Sequence, residues 1–126
     1  METKEIIVDT NAILFGLKYN KNIFEVLLEN EEYSHLKILI SKGVIRELKK
    51  FSLSSKKLKI EASIAINIIQ NMQLIIDNSN QYVDSWILSK SLKGNVLVCT
   101  NDIKLKRKLK SLGVGVISIT KTGKLR

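Results

Sequence analysis

Five short, continuous runs of Ile, Val and Leu alternate with longer helical patterns along this chain, and no other feature constrains its fold as much. The runs lack the apolar and polar alternation of a half-exposed strand, so they indicate strands covered on both faces, as in a parallel sheet. Helices between such strands favour right-handed βαβ units. The predicted strands are residues 5–8, 36–40, 74–76, 96–99 and 114–119.

The segments between these runs have helical periodicity. Residues 57–72 place Ile60, Ile64 and Ile68 on one stripe, widened by neighbouring Ala and Ile residues, which predicts a well-buried helix. A short helix is also expected directly after the first strand, and Gly113 is a favourable residue just past the end of the last helix. The other predicted helices are residues 22–34, 43–51, 79–93 and 102–112.

Length and composition indicate a single domain, residues 1–126. A chain of 126 residues buries enough surface to fold without a disulfide or a structural metal. The lone Cys99 lies in an apolar run, where we expect a small core hydrophobe, and a single cysteine suits the reducing cytoplasm. No stretch approaches the roughly 20 apolar residues of a membrane span, so no membrane association is expected.

Four acidic residues lie where a parallel sheet binds its ligands, at the carboxyl ends of the strands. Asp9 follows the first predicted strand and Asp102 follows the fourth, while Glu47 and Asp84 lie near the starts of two helices. Taken singly, the aspartates could be helix caps or first-turn acids, and Glu47 a solvated surface residue. If strands one and four flank the point where the strand order reverses, Asp9 and Asp102 face each other across one crevice, and Glu47 lies close to it.

Four clustered carboxylates repel one another strongly unless a cation neutralises them. Hard oxygen ligands select Mg²⁺ or Mn²⁺, and the sequence has no His and Cys cluster that would favour zinc. We therefore predict a divalent-metal site. Its predicted ligands are Asp9, Glu47, Asp84 and Asp102.

The motifs around these acids resemble those of the PIN-domain nucleases over essentially the whole chain. The resembling segments are residues 7–11 (IVDTN), 44–48 (VIREL), 83–88 (VDSWIL) and 100–102 (TND), the last followed by LKRKL at 105–109. The resemblance implies an α/β fold, a three-layer α/β/α sandwich with a five-stranded parallel sheet in the order 3-2-1-4-5. It also implies an endoribonuclease that hydrolyses RNA phosphodiester bonds with Mg²⁺ or Mn²⁺.

The same resemblance assigns roles to individual residues. The four predicted ligands take the places of the family's catalytic, metal-binding acids, and Asn101 takes a polar active-site position. Candidates for support within the site are Thr10, Asn11, Thr100 and Asn101.

Two branches of the family remain open. The basic last helix and the glycines after it look most like the branch that processes small-subunit ribosomal RNA, with the VapC toxin branch as the alternative. That first branch often has two adjacent aspartates where this chain has Asp84 and Ser85, and a serine cannot replace a charged ligand. A homodimer is left open, and an antitoxin partner is expected only for the toxin branch.

The net charge of +9 favours a polyanionic partner. Because the basic residues begin beside the predicted acids, we interpret them as a surface that holds the RNA backbone against the metal. No exposed aromatic platform for stacking bases is evident, so recognition by backbone and shape is expected. The predicted RNA-binding residues are Lys49, Lys50, Lys104, Lys106, Arg107 and Lys108.

Two other classes of protein compete with the nuclease. A phospho-acceptor receiver domain also alternates strands and helices, and Asp77, Thr100 and Lys121 superficially resemble its acceptor, switch and lysine. It would give Glu47 and Asp102 no role, and strong positive charge is unexpected for it. A non-catalytic RNA-binding domain would not need all four acids.

Overall fold

The computed structural model describes residues 2–54 and 56–126 as one alternating series of strands and helices. The strands are β1 (Glu5–Val8), β2 (Lys37–Ser41), β3 (Ile75–Asp77), β4 (Val96–Cys99) and β5 (Val116–Ile117). The helices are α1 (Thr10–Lys18), α2 (Ile23–Glu29), α3 (Lys42–Ser54), α4 (Lys59–Gln70), α5 (Val83–Ser91) and α6 (Ile103–Ser111). No helix in these ranges is long and apolar enough to cross a membrane.

The five strands form one parallel sheet in the order β3-β2-β1-β4-β5, which confirms the predicted fold. From β1 the chain moves outward to β2 and β3, then returns past β1 to β4 and β5. Right-handed connections in opposite directions place their helices on opposite faces of the sheet. Accordingly α1 to α4 contact one another on one side, and α5 contacts α6 on the other.

The central strands are apolar because both their faces are covered. In β1, Ile6, Ile7 and Val8 are fully buried, and β4 contributes Val98 and Cys99 at its carboxyl end. Burial raises the pKa of the Cys99 thiol to about 12, so this cysteine is a core hydrophobe, as predicted.

Several element boundaries differ from the predicted ones. The helix predicted over 22–34 ends at Glu29, because Asn30 leaves helical geometry and the chain turns through the next residues. The strand predicted over 114–119 pairs with β4 only at Val116 and Ile117, and beyond it Ile119 bridges back to Leu125. Gly113 follows α6 with a φ of +79°, and its amide donates to the Lys110 carbonyl, so it closes the helix as expected.

The predicted burial of α4 is wrong for two residues of its stripe. Ile60 is 70% exposed and Ile64 is 44% exposed, while Ile68 is partly buried. Of the residues expected to widen the stripe, Ala62, Ala65 and Ile69 are buried, and the helix packs against α3 and α1. Small alanine side chains let the helices approach closely, so this face packs inward although the opposite stripe has the larger apolar residues.

Candidate active site

A cavity of about 440 Å³ opens at the carboxyl ends of β1 and β4, where the strand order reverses. All four predicted acids line it, together with three of the four predicted supporting residues. The acidic and uncharged polar lining residues are Asp9, Thr10, Asn11, Glu47, Asp84, Asn101 and Asp102. The fold therefore brings together acids that are up to 93 residues apart in the sequence.

Asp9 occupies the N-cap position of α1, yet its side chain makes no capping hydrogen bond. Its Oδ2 accepts a hydrogen bond from the Thr100 hydroxyl at 2.7 Å, and the residue is only 5% exposed. Asp9 is therefore a helix cap by its backbone position only. Its carboxylate does not cap α1 and is turned toward β4.

Burial raises the pKa of Asp9 to about 6, and the charges of Asp84 and Glu47 add to the rise. The Thr100 hydrogen bond opposes it. Burial also raises the pKa of Glu47, with a contribution from the charge of Asp84. The side chain of Thr10, which interacts with the Glu47 carboxylate as a hydrogen-bond donor, offsets part of that rise.

Asp84 and Asp102 form the more open side of the cavity. Asp84 lies in the first turn of α5, where burial and then the charge of Asp102 raise its pKa, and Lys108 partly opposes them. Asp102 is the N-cap of α6, and its Oδ1 accepts the Leu105 amide at 3.1 Å. The cap uses one of its two carboxylate oxygens.

Two asparagines hold the loop after β4 in place. Asn11 Oδ1 accepts the Asn101 amide at 2.9 Å, which ties this loop to α1. The Asn101 side chain donates to the Ile119 carbonyl at 2.8 Å and accepts the Ile119 amide at 3.0 Å. Asn101 lines the cavity, but its amide group is committed to positioning the chain after β5.

Sequence reasoning missed the apolar and basic part of the cavity lining. These residues are Leu14, Phe15, Lys18, Phe51 and Leu58. Helical spacing could have found most of them, because Asn11, Phe15 and Lys18 share one face of α1, and Phe51 lies one turn after Glu47 on α3. Phe15 and Phe51 are both only partly buried.

Residues 6–122 match the family described as the PIN like domain. The chain belongs to this family. Its curated relatives include ribonuclease VapC4 of Methanocaldococcus jannaschii, which is 31% identical over 120 residues that cover 91% of this chain and 89% of the relative. Ribonuclease VapC9 of Archaeoglobus fulgidus is 30% identical over 111 residues, 87% of this chain and 78% of the relative.

Solved structures give the same result for the fold. The PIN domain endonuclease Utp24 superposes with a TM-score of 0.76 at 27% identity, covering 97% of this chain and 89% of that one. A domain of a functionally unknown protein from Methanocaldococcus jannaschii gives a TM-score of 0.70 at 16% identity, covering 94% of this chain and 92% of that one, and supports the fold alone. The predicted membership of the PIN-domain ribonucleases is confirmed.

Nucleases with a PIN domain generally use divalent metal ions. In residues 2–54 and 56–126, no group of three or more His, Cys, Asp or Glu side chains is already arranged to hold an ion. The donor set nevertheless fits a hard cation in kind, because carboxylates line one cavity and raise one another's pKa values. A bound cation would relieve that repulsion and draw the acids together.

Two residues singled out in the sequence lie outside this PIN-domain cavity. Ser85 is exposed and is not among the lining residues. Asp77 lies at the end of the edge strand β3, where its Oδ2 is 3.1 Å from Lys90 Nζ. Burial tends to raise the Asp77 pKa, but the hydrogen bonds from Lys90 and the Ser79 amide, together with the Lys90 charge, outweigh it and the pKa is lowered. The receiver alternative therefore places its acceptor away from the acidic cavity.

Proposed function

We propose that this PIN domain is an endoribonuclease that hydrolyses RNA phosphodiester bonds with Mg²⁺ or Mn²⁺. The observation that carries the proposal is the convergence of four carboxylates on one cavity at the reversal of the strand order. The proposed ligands and catalytic acids are Asp9, Glu47, Asp84 and Asp102. Cytoplasmic location remains part of the proposal.

The acids have distinct tasks in this scheme. Asp9 is the buried anchor, because the Thr100 hydrogen bond fixes its carboxylate and burial makes its charge costly without a cation. Glu47, Asp84 and Asp102 complete the ligand set from α3, α5 and the start of α6. When bound, a divalent cation supplies Lewis acidity and lowers the pKa of water, so no protein nucleophile is needed.

The proposed RNA surface begins at the rim of the same cavity. The charge of Lys50 offsets part of the rise in the Glu47 pKa, and the charge of Lys108 offsets part of the rise in the Asp84 pKa. Both lysines therefore lie near the acids. Lys106 reaches the Ser118 hydroxyl at 3.1 Å, so part of its donor capacity is used within the protein. Lys49, Lys104 and Arg107 are exposed and complete the proposed contact with phosphates.

The test is cleavage of labelled, structured ribosomal RNA fragments in Mn²⁺ or Mg²⁺, with and without a chelator, followed by end-mapping. We expect metal-dependent internal cuts that leave a 5′-phosphate and a 3′-hydroxyl. Asp9→Asn and Asp102→Asn should each remove nearly all activity, while Asp77→Asn, outside the cavity, should retain it. Undiminished cleavage in the chelator would contradict the proposal, and so would activity lost only in Asp77→Asn.

A VapC-type toxin role is the second candidate, because both named curated relatives carry that name. In that case the substrate is a cellular RNA and a protein antitoxin blocks the cavity. Expression of the parent should arrest growth, and Asp9→Asn should not. Normal growth with active enzyme present would favour a processing role, with ribosomal RNA as the first substrate to examine.

A further inference from the structure

The cavity has an aromatic part that the proposed hydrolysis does not use. Phe15 and Phe51 line it together with Leu58, and both phenylalanine rings are only partly buried. The Phe15 ring also packs against Tyr19, with centroids 5.1 Å apart and a tilt of 54° between the planes. A partly exposed ring held by its neighbours offers a π face on which a nucleobase can stack.

These rings lie one helical turn from polar residues of the site. Phe15 follows Asn11 by four residues on α1, and Phe51 follows Glu47 by four on α3. Side chains at this spacing have Cβ atoms about 5–6 Å apart. Both rings therefore lie beside polar residues that line the same cavity, where a nucleotide bound at the acids would place its base.

A basic depression of about 540 Å³ continues from this aromatic part. Lys18 and Leu58 line both spaces, and Lys56 and Lys57 extend the second one. Glu61 is its one acid, so three lysines leave it positive. Lys18 Nζ lies 5.6 Å from the centre of the Tyr19 ring, a cation–π contact that keeps this ammonium beside the cavity.

We propose that Phe15 and Phe51 bind one unpaired nucleobase adjoining the scissile phosphate, and that the Lys18 depression carries the neighbouring phosphates of a single-stranded RNA. The inference rests on the proposed ribonuclease function and assigns the residues that bind the base and the phosphates beside the cut. A base within a duplex is stacked on its neighbours and cannot enter the cavity, so cleavage is directed to loops and unpaired segments.

The first test measures binding without cleavage. A short single-stranded RNA with 2-aminopurine at successive positions is titrated in a chelator, where stacking on an aromatic ring quenches the probe. We expect quenching at one position, and a loss of affinity of about 5-fold or more in Phe15→Leu and in Phe51→Leu. Leucine keeps an apolar side chain at each position, and thermal melting confirms folding.

Tyr33→Leu is the matched control, because Tyr33 is also a partly buried aromatic residue packed on the core but lines neither space. Its RNA affinity should equal that of the parent. Equal affinities for the parent and both phenylalanine variants, or quenching that survives in the variants, would overturn the stacking site.

The second test scans an abasic nucleotide through a cleavable RNA in Mn²⁺. The parent should cleave more slowly when the abasic nucleotide is at one position beside the cut. The double variant Phe15→Leu/Phe51→Leu should cleave at the same rate whether or not a base is present at that position. The salt dependence of RNA binding tests the Lys18 depression separately. Lys18→Gln should reduce the slope of log affinity against log salt concentration by about 0.7, whereas Lys37→Gln, at the opposite end of the sheet, should leave the slope unchanged. A parent enzyme indifferent to the abasic position would overturn the inference.

Failure of the proposed function has a different signature. If the parent cuts no RNA in metal but still binds single strands with quenching that requires Phe15 and Phe51, the stacking site stands and the nuclease assignment falls. If the parent cuts RNA but neither ring affects binding, the assignment stands and the stacking site falls.

Discussion

The Thr100 hydroxyl lies 2.7 Å from Asp9 Oδ2 and also accepts the Asp102 backbone amide at 3.1 Å. A single buried hydroxyl at the end of β4 therefore orients the acid that follows β1 and supports the loop that presents the acid at α6. The two acids are linked through this one residue before any cation is bound.

Thr100→Val should weaken metal binding and destabilise the fold. The Thr100 hydrogen bond lowers the Asp9 pKa, so its loss raises that pKa further and protons compete better with the cation. We expect a higher metal midpoint for cleavage, a pH profile displaced to higher pH, and a cost of about 1–3 kcal/mol in the free energy of unfolding. Thr100→Ser keeps the hydroxyl and is the control; parent-like metal midpoints in Thr100→Val would contradict the prediction.

The metal-free protein should lose stability as the pH rises from about 4 to about 6. Because the Asp9 pKa is about 6 in the folded chain against an ordinary 3.8, the folded state binds this proton more tightly than the unfolded state. The resulting stabilisation is present below the lower value and is lost as pH rises through the higher one, by about 3 kcal/mol. Urea unfolding of the parent and of Asp9→Asn across this range isolates the effect.

Asp9→Asn should be more stable than the parent at pH 7 without metal, and this advantage should shrink toward pH 4. Asparagine retains an oxygen that can accept the Thr100 hydrogen bond and carries no charge to desolvate. Divalent cation should stabilise the parent more than the variant. A constant difference between the two proteins across the pH range would mean that Asp9 titrates normally.

Asn101→Ala should loosen the chain after β5. The substitution removes both hydrogen bonds to the Ile119 backbone and leaves a partly buried amide and carbonyl without those partners. We expect a loss of about 1–3 kcal/mol in the free energy of unfolding and faster hydrogen exchange at the Ile119 amide. Unchanged exchange there would restrict Asn101 to a role within the cavity.

Ser85→Asp should leave the metal midpoint of cleavage nearly unchanged. The family resemblance raised the concern that a missing second aspartate weakens metal binding, but Ser85 is exposed and outside the cavity lining. A carboxylate that does not line the cavity supplies no additional oxygen ligand to the cation. A metal titration at fixed ionic strength tests this, with Asp84→Asn as the variant that should raise the midpoint; a clear fall in the Ser85→Asp midpoint would place position 85 at the metal.

The sheet, and the convergence of the four acids on one cavity, could be predicted because both depend on local rules. Buried strands have continuous apolar runs, and residues that follow parallel strands meet at one edge, so the convergence of Asp9 and Asp102 could be inferred from position alone. Which face of a helix packs inward is decided by neighbouring helices. Ile60 therefore lies outside while Ala62 packs against the core, contrary to the amphipathic pattern.

Helical spacing indicates which residues share a helix face with the polar residues of the site, but not that two such faces line one cavity. Phe15 and Phe51 look like ordinary core residues in the sequence, and only the packing of α1 beside α3 exposes parts of both rings to the same space. Likewise the pairing of Asn101 with Ile119 depends on where the chain runs after β5, which no motif specifies.

The pairing of β1 with β4 also determines when the acidic cavity is complete. Strand β4 pairs with β1 and leads to Asp102, and some 90 residues separate Asp102 from Asp9 in the chain. During synthesis, the amino-terminal half emerges with Asp9 and Glu47 but without Asp84 and Asp102, which line the other part of the cavity. The four carboxylates therefore come together only after most of the domain has been translated.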